Sequence, residues 1–294
     1  MGLTLRLAKR NIALYFRDPM SVFFSVLGAL IVLLLYVLFL GNMQVRELSI
    51  SMPQASLSDI EFFVNSWVMG GILSISTLTT SLGAMGIMVD DHHLGVLKDF
   101  RVAPVKRWQL VMGYLLSAAL SSLIINIVLF AAAEGLIVLR GGTLLGVMDA
   151  LKVLGLLLLC CVSFTAISAF FVSLVKTPGA YGSLSSIIGT LLGFLSGAYI
   201  PIGSYTDTVQ TFVKLLPFSH AGALLRSLFL GEPVRRILQG APTDITNEVL
   251  TELGVNMAVN GYVLSPTVML ATIAGFGLIF FVLSVWRMSR NREL

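Results

Sequence analysis

The chain has 294 residues, is 56% hydrophobic and only 12% charged, and carries a formal net charge of +4; its mean hydropathy is +0.93. A soluble domain carries about 25% charged residues, so this composition excludes a water-soluble globular enzyme and demands lipid as solvent. The basic excess lies on short segments beside apolar runs, which argues against nucleic-acid binding, since that needs a basic soluble face.

Residues 2–17 predict an amphipathic helix. On a helical wheel Arg6, Lys9, Arg10 and Arg17 share about 100° of arc, with Leu5, Ala8, Ile12, Tyr15 and Phe16 opposite. A basic helix beside a span lies in the headgroup layer; the plainer alternative is a positive flank that fixes topology. Asp18-Pro19 breaks it, and no cleavable leader is evident. The first span is predicted over 22–40, ended by Gly41-Asn42. Residues 42–60 carry one basic residue, Arg46, and read as outside. The second span is predicted over 61–89. Ser74, Ser76, Thr77, Thr79, Thr80 and Ser81 crowd its middle. Their hydroxyls can bond their own helix backbone and so survive in lipid. Two readings stay open: helix packing, or a polar strip, with Ser74, Thr77 and Ser81, that lines a path or a seam.

Residues 90–107 (DDHHLGVLKDFRVAPVKR) form a charged island between two uncharged runs, 65–89 and 108–133. Each run is long enough for the roughly 20 apolar residues that cross a bilayer core. Lys98, Arg101, Lys106 and Arg107 place the island on the cytoplasmic side. Asp90, Asp91, His92 and His93 invite a metal reading, but consecutive helical residues point to different faces and do not converge. The third span is predicted over 108–133, continuing toward Leu139. Glu134 then falls near the far interface, about 39 Å of helix beyond Trp108, able to snorkel or to pair with Arg140. The fourth span is predicted over 151–175, and Lys176-Thr-Pro-Gly is a tight inner turn. Cys160 and Cys161, the only cysteines, lie inside that span and read as packing residues.

The fifth span is predicted over 180–199. Gly182, Ser185, Gly189, Gly193 and Ser196 recur at steps of three and four, a small-residue face that lets two helices approach closely. A contact within one subunit and a seam between subunits remain equal alternatives. Residues 201–265 predict an outer element: a helical hairpin over 209–230, broken at Pro217 and dipping into the outer leaflet, then a cap. The sixth span is predicted over 266–286, followed by Arg287, Arg290 and Arg292. Twelve of the nineteen Lys and Arg residues fall on the four predicted inner segments. Six spans with both termini cytoplasmic agree with that bias. The predicted fold is all-α and integral to the cell membrane, one domain over 1–294.

No phosphate-binding loop of the G-x-x-x-x-G-K-[ST] type appears, nor a zincin, nucleophile-elbow or dinucleotide motif. The chain is therefore not expected to hydrolyse ATP by itself. Two motifs carry a resemblance. One is Asp90-Asp-His-His-Leu-Gly95-Val-Leu97 followed by Ala103-Pro104-Val105. The other is Ser196-Gly197-Ala-Tyr-Ile-Pro201, then Leu216-Pro217, then Arg226 and Gly231. With the six-span plan, the chain resembles the ABC-2 family of ABC-transporter membrane subunits along essentially its whole length. Lys98 stands where that family often has an acid, and Val96 where Thr is usual.

The resemblance implies an exporter permease working as a dimer, with ATP and Mg held by separate cytosolic ATPase subunits and no cofactor in this chain. It implies a coupling helix within 90–107 (Asp91, His92, His93, Leu94, Gly95, Leu97, Lys98, Phe100, Arg101 and Pro104) and an outer gate at Pro201, Pro217 and Arg226. From the residues alone, Leu94, Leu97 and Arg101 would share one face of a helix starting near His92, an apolar ridge that fits a groove on a partner; a simple polar turn is the alternative. The cargo suggested by the Ser/Thr strip and apolar walls is an amphipathic drug, lipid or peptide-like molecule. An ion-gradient-driven transporter is the competing class, and it would want ionisable residues near mid-membrane. A membrane-assembly protein that transports nothing is the third.

Overall fold

The computed structural model describes residues 2–97, 106–238, 243–259 and 262–290. Lys98, Phe100, Arg101 and Pro104 lie outside the described residues. Helix α1 (Leu3–Arg17) ends at Asp18, whose carboxylate accepts from the Met20 and Ser21 amides and caps α2 (Pro19–Leu35). Proline at the first helical position needs no amide partner, so the corner costs little.

The first departure follows. Gly41-Asn42 does not end the first span. The helix widens into a π-turn over Tyr36–Leu40, with the Gly41 amide bonded to Tyr36 O, and continues as α3 (Gly41–Ser51). Helix α4 (Leu57–His93) starts at a Ser56 cap and runs 37 residues, about 55 Å at 1.5 Å per residue. It therefore includes Asp90–His93, which the sequence reading assigned to a loop.

Helix α5 (Arg107–Leu139) returns the chain, and α6 (Val147–Val172) crosses again. Helix α7 (Pro178–Leu195) begins at a Thr177 cap. It stops four residues before the predicted end, because Gly197 turns at φ +66° and the Ala198 and Tyr199 amides bond back to Gly193 O. A 3-10 turn (Ile202–Ser204) leads to α8 (Asp207–Lys214) and α9 (Pro217–Phe229), with Pro217 at the break where it was expected. Helices α10 (Gly231–Ile237) and α11 (Thr243–Glu252) follow. A two-stranded antiparallel ribbon, β1 (Ala258–Val259) and β2 (Tyr262–Val263), pairs Ala258 with Val263 and Val259 with Tyr262. Helix α12 (Pro266–Arg290) completes the fold.

Five helical segments are long and apolar enough to cross a membrane: Pro19–Ser51, Leu57–His93, Arg107–Leu139, Val147–Val172 and Pro266–Ser289. Helix α7 is not among them; it has 18 residues, diluted by Gly, Ser and Thr. It nevertheless runs the same way as α5. Tyr181 at its start donates to Leu82 O of α4, and Ser196 at its end lies beside Arg226 of α9.

Helix α4 is the hub. Both apolar cores of the molecule draw on it, one from Ile60 to Leu78 and the other from Leu82 to Val89. Lipid tails are as apolar as these side chains, so packing and hydrogen bonds hold the helices together rather than water exclusion. The outer surfaces carry exposed Phe23, Phe24, Leu34, Val128, Leu278 and Ile279, as a lipid-facing surface requires.

Candidate functional site

The end of α4 that carries Asp91, here the proximal end, forms a three-helix node. Arg10 of α1 grips Asp91 with both arms of its guanidinium, Nη1 to Oδ2 at 2.6 Å and Nη2 to Oδ1 at 2.8 Å. Tyr114 of α5 donates its hydroxyl to the same Oδ2 at 2.6 Å. The Asp91 side chain is 6% exposed and that of Arg10 34%. A bidentate, charge-assisted pair of this kind fixes direction as well as distance. The Asp91 carboxylate raises the Arg10 pKa above its ordinary value. Helix α1 thus docks by Leu7, Ala8, Asn11 and Tyr15, while Leu5 and Phe16, expected on the same apolar face, stay exposed.

The predicted ridge is corrected here. Leu94 and Leu97 do not share a face: Leu94 is 73% exposed and Leu97 1%. The helix is not continuous from His92: among the described residues, helical backbone resumes only at Val96 and Leu97, after a turn. His92 and His93 close the last turn of α4, Leu94 caps it through its amide on Asp90 O, and Gly95 turns the chain at φ +77°. Only glycine adopts that conformation without a Cβ clash. The exposed apolar candidate is Leu94, and Leu97 belongs to the core.

In the middle of α4 the Ser/Thr strip is buried. Ser74, Thr77 and Ser81 are almost wholly covered by this chain's own helices. Thr80 and Ser122 share a hydrogen bond at 2.7 Å, Asn126 Nδ2 donates to Thr80 Oγ1 at 3.0 Å, and Ser76 donates to Asn126 Oδ1. Ser122 also donates to Thr77 O at 3.1 Å and meets Cys161 Sγ at 3.3 Å. Thr165 of α6 donates to Ser81 at 3.1 Å. The strip is a packing ladder between α4, α5 and α6. The path-or-seam reading of Ser74, Thr77 and Ser81 is therefore replaced by an internal one.

At the distal end Arg226 of α9 is 0% exposed. Its Nη1 donates to Ser196 O at 3.3 Å and Nη2 to Gly197 O at 2.6 Å, and its guanidinium lies 4.3 Å from the centre of the Trp67 ring. The fork thus satisfies carbonyls freed where α7 ends, and the ring face offsets part of the cost of burying the charge. Close approach explains the glycine opposite: a Cβ on Gly70 would lie 2.9 Å from Arg226 Cα and N. Pro201 precedes the 3-10 turn and Pro217 starts α9, so both shape the loop that Arg226 locks.

The small-residue face of α7 divides. Ser196 is buried, and a Cβ on Gly193 would sit 2.0 Å from the ring of Tyr199, so this end is filled by the chain itself. Gly182 and Gly189 face open space. Glu134 does not pair with Arg140. Its Oε2 accepts from the Leu145 amide at 2.9 Å, whereas Arg140 reaches Asn65 at 3.4 Å.

The sequence reading missed Trp67, Gly70, Tyr114 and Asn126. Asn126, the sole amide between Val111 and Leu139, carried a usable signal; Tyr114 carried none apart from its apolar neighbours.

No curated protein matches the sequence. The family description ABC-2 type transporter matches residues 3–230, from the start of α1 to the end of the α8–α9 hairpin, and α10 onward falls beyond it. The matched stretch includes the Arg10–Asp91–Tyr114 node, the α4–α5–α6 ladder and the Arg226 lock. This multi-pass membrane protein accordingly belongs to the ABC-2 type transporter family, whose members are membrane permease components of ABC systems.

Proposed function

We propose that this chain is the permease subunit of an ATP-driven exporter, working as a pair and coupled to separate cytosolic ATPase subunits that hold ATP and Mg. It sits in the cell membrane with six passes and both termini cytoplasmic. The proximal end then faces the cytosol, in keeping with the basic residues on α1 and around Arg107. Helix α7 supplies the sixth pass; its 18 residues span about 27 Å, close to the roughly 30 Å hydrocarbon core. The exported molecule is an amphipathic drug, lipid or peptide-like compound, and surrounding lipid is a partner of the exposed apolar surface; nucleic acid is not a partner.

The observation that carries this reading is one continuous helix with a built contact at its cytosolic end and another in its outer half. Helix α4 holds the Arg10–Asp91 pair at the first and packs against Arg226 at Trp67 and Gly70 in the second. A partner that pushes beside Leu94 moves this rod directly. Pairing with a second copy is supported by the bare face of α7, where Ser183, Ser186 and Thr190 are exposed and bond only to their own helix carbonyls. Hydroxyls of this sort favour helix–helix contact in lipid.

The test uses Leu94→Asp, which changes an exposed apolar side chain and leaves the core intact. In proteoliposomes with the partner ATPase, transport should fall while insertion and the ATPase's own basal hydrolysis persist. Normal export by this variant would refute docking at Leu94. The permease purified alone should not turn over nucleotide, and driven transport by that preparation would refute the division of labour.

A further inference from the structure

A cavity of about 220 Å³ lies at the distal end beneath α9 and α10, away from the Arg226 lock. Its deep wall carries Ser66 of α4 and Glu134 of α5, and its mouth carries Asp149, Glu232 and Arg235. Ser66 is 0% and Glu134 9% exposed. Glu134 Oε2 is bonded to the Leu145 amide, but Oε1 has no partner, and neither has Ser66 Oγ. Two residues that line one space thus each hold a buried oxygen that finds no donor in the protein. An unpaired buried carboxylate oxygen is expensive, and a charged group pays most.

The charges at the mouth are already paired: Arg235 with Glu232, and Asp149 with Lys152 beside it, each at 2.8 Å. The described residues contain no group of three His, Cys, Asp or Glu side chains placed to hold a metal ion. What fits is a cation that brings its own hydrogen-bond donors. We propose that this cavity binds a small organic ammonium, with one N–H on Glu134 Oε1 and a second on Ser66 Oγ.

At about 30 Å³ for each water the space equals roughly seven waters, room for a head of about that many heavy atoms. Two of the three mouth residues, Glu232 and Arg235, come from α10, which begins where the family match ends at residue 230. The site is thus built partly from a segment outside the matched region. It does not depend on the transport reading, because binding is measured on the purified chain without any partner.

The experiment titrates n-butylammonium chloride into the full chain in non-ionic detergent, by calorimetry and by thermal shift, with n-butanol, tetramethylammonium and sodium chloride as comparisons. Saturable binding of butylammonium is expected, with no matching effect of butanol or salt and weaker binding of tetramethylammonium, which has no N–H. Glu134→Gln keeps an acceptor for the Leu145 amide and should lower affinity about tenfold or more; Ser66→Ala should lower it a few-fold. Asp207→Asn, an exposed acid on α8 outside the cavity, should change it little. Equal binding of butanol, binding that survives Glu134→Gln, or no binding at all would overturn the proposal, the last marking the cavity as a water site.

Discussion

Replacing Asp91 by Asn should release α1 from the bundle. The carboxylate accepts two hydrogen bonds from Arg10, at 2.6 and 2.8 Å, and one from Tyr114. Bonds to a charged group are each worth about 1.5–3 kcal/mol net, and breaking a fully buried pair would cost about 3–5 kcal/mol. Arg10 is one-third exposed, so water recovers part of the loss, and Asn keeps one acceptor for Tyr114. The balance is about 2 kcal/mol, which corresponds to about a 30-fold larger open population of α1. Hydrogen exchange of amides 3–17 in detergent reads that population directly, because local opening sets the exchange rate. Arg10→Gln should behave alike, and the double variant should be no worse than either, a coupling of about 1.5–2 kcal/mol. Unchanged exchange in Asp91→Asn, or strictly additive single effects, would show that the apolar docking of Leu7 and Tyr15 holds α1 without the ion pair.

Gly70→Ala should push α9 off α4, since the new methyl meets Arg226 backbone at 2.9 Å; a loss of about 1–3 kcal/mol is expected, read as a lower midpoint in thermal denaturation. Asn126→Leu should be tolerated, costing about 1–2 kcal/mol, because Ser76 and Thr80 keep bonds to their own helix carbonyls; abolished transport with normal folding would restore a pathway role for the ladder. Asp18 has its carboxylate pKa lowered by the Ser21 hydroxyl and amide. A depressed folded pKa means the cap's contribution is fully present above the ordinary value and is lost as pH falls through the folded one. Protection of the Ser21 amide should therefore drop below about pH 3.8 and lose that dependence in Asp18→Asn, with NMR exchange as the readout.

The spans were legible because long uncharged runs admit few other structures in lipid. Their ends were not. Glycine at 41 reads as a stop, but the wide turn over Tyr36–Leu40 absorbs it and the helix goes on. Charge at 90–93 reads as a loop, yet Asp91 finds Arg10 from 81 positions away, a distance along the chain that periodicity cannot see. The same limit separated Leu94 from Leu97: spacing proposes a shared face, and the turn at Gly95 removes it. The clamp of Arg226 on the α7 terminus was not legible, since its acceptors are backbone carbonyls with no sequence signature. On α7 the cover of Gly193, Tyr199, comes from the turn that follows, which the period of small residues cannot show.

Helix α4 has no proline between Leu57 and His93, and its polar ladder to α5 and α6 lies near its midpoint. A stiff beam pinned at its centre swings its tips in opposite senses. With a half-length of about 27 Å, a 5° tilt carries each tip about 2.4 Å, comparable to the roughly 1–2 Å helix shifts that switch packed interfaces. An inward push on the Asp91 end would then swing the Leu57 end the other way, while Gly70, about five residues or roughly 8 Å from the midpoint, would shift by only about 0.7 Å against Arg226 and so sit near the pivot.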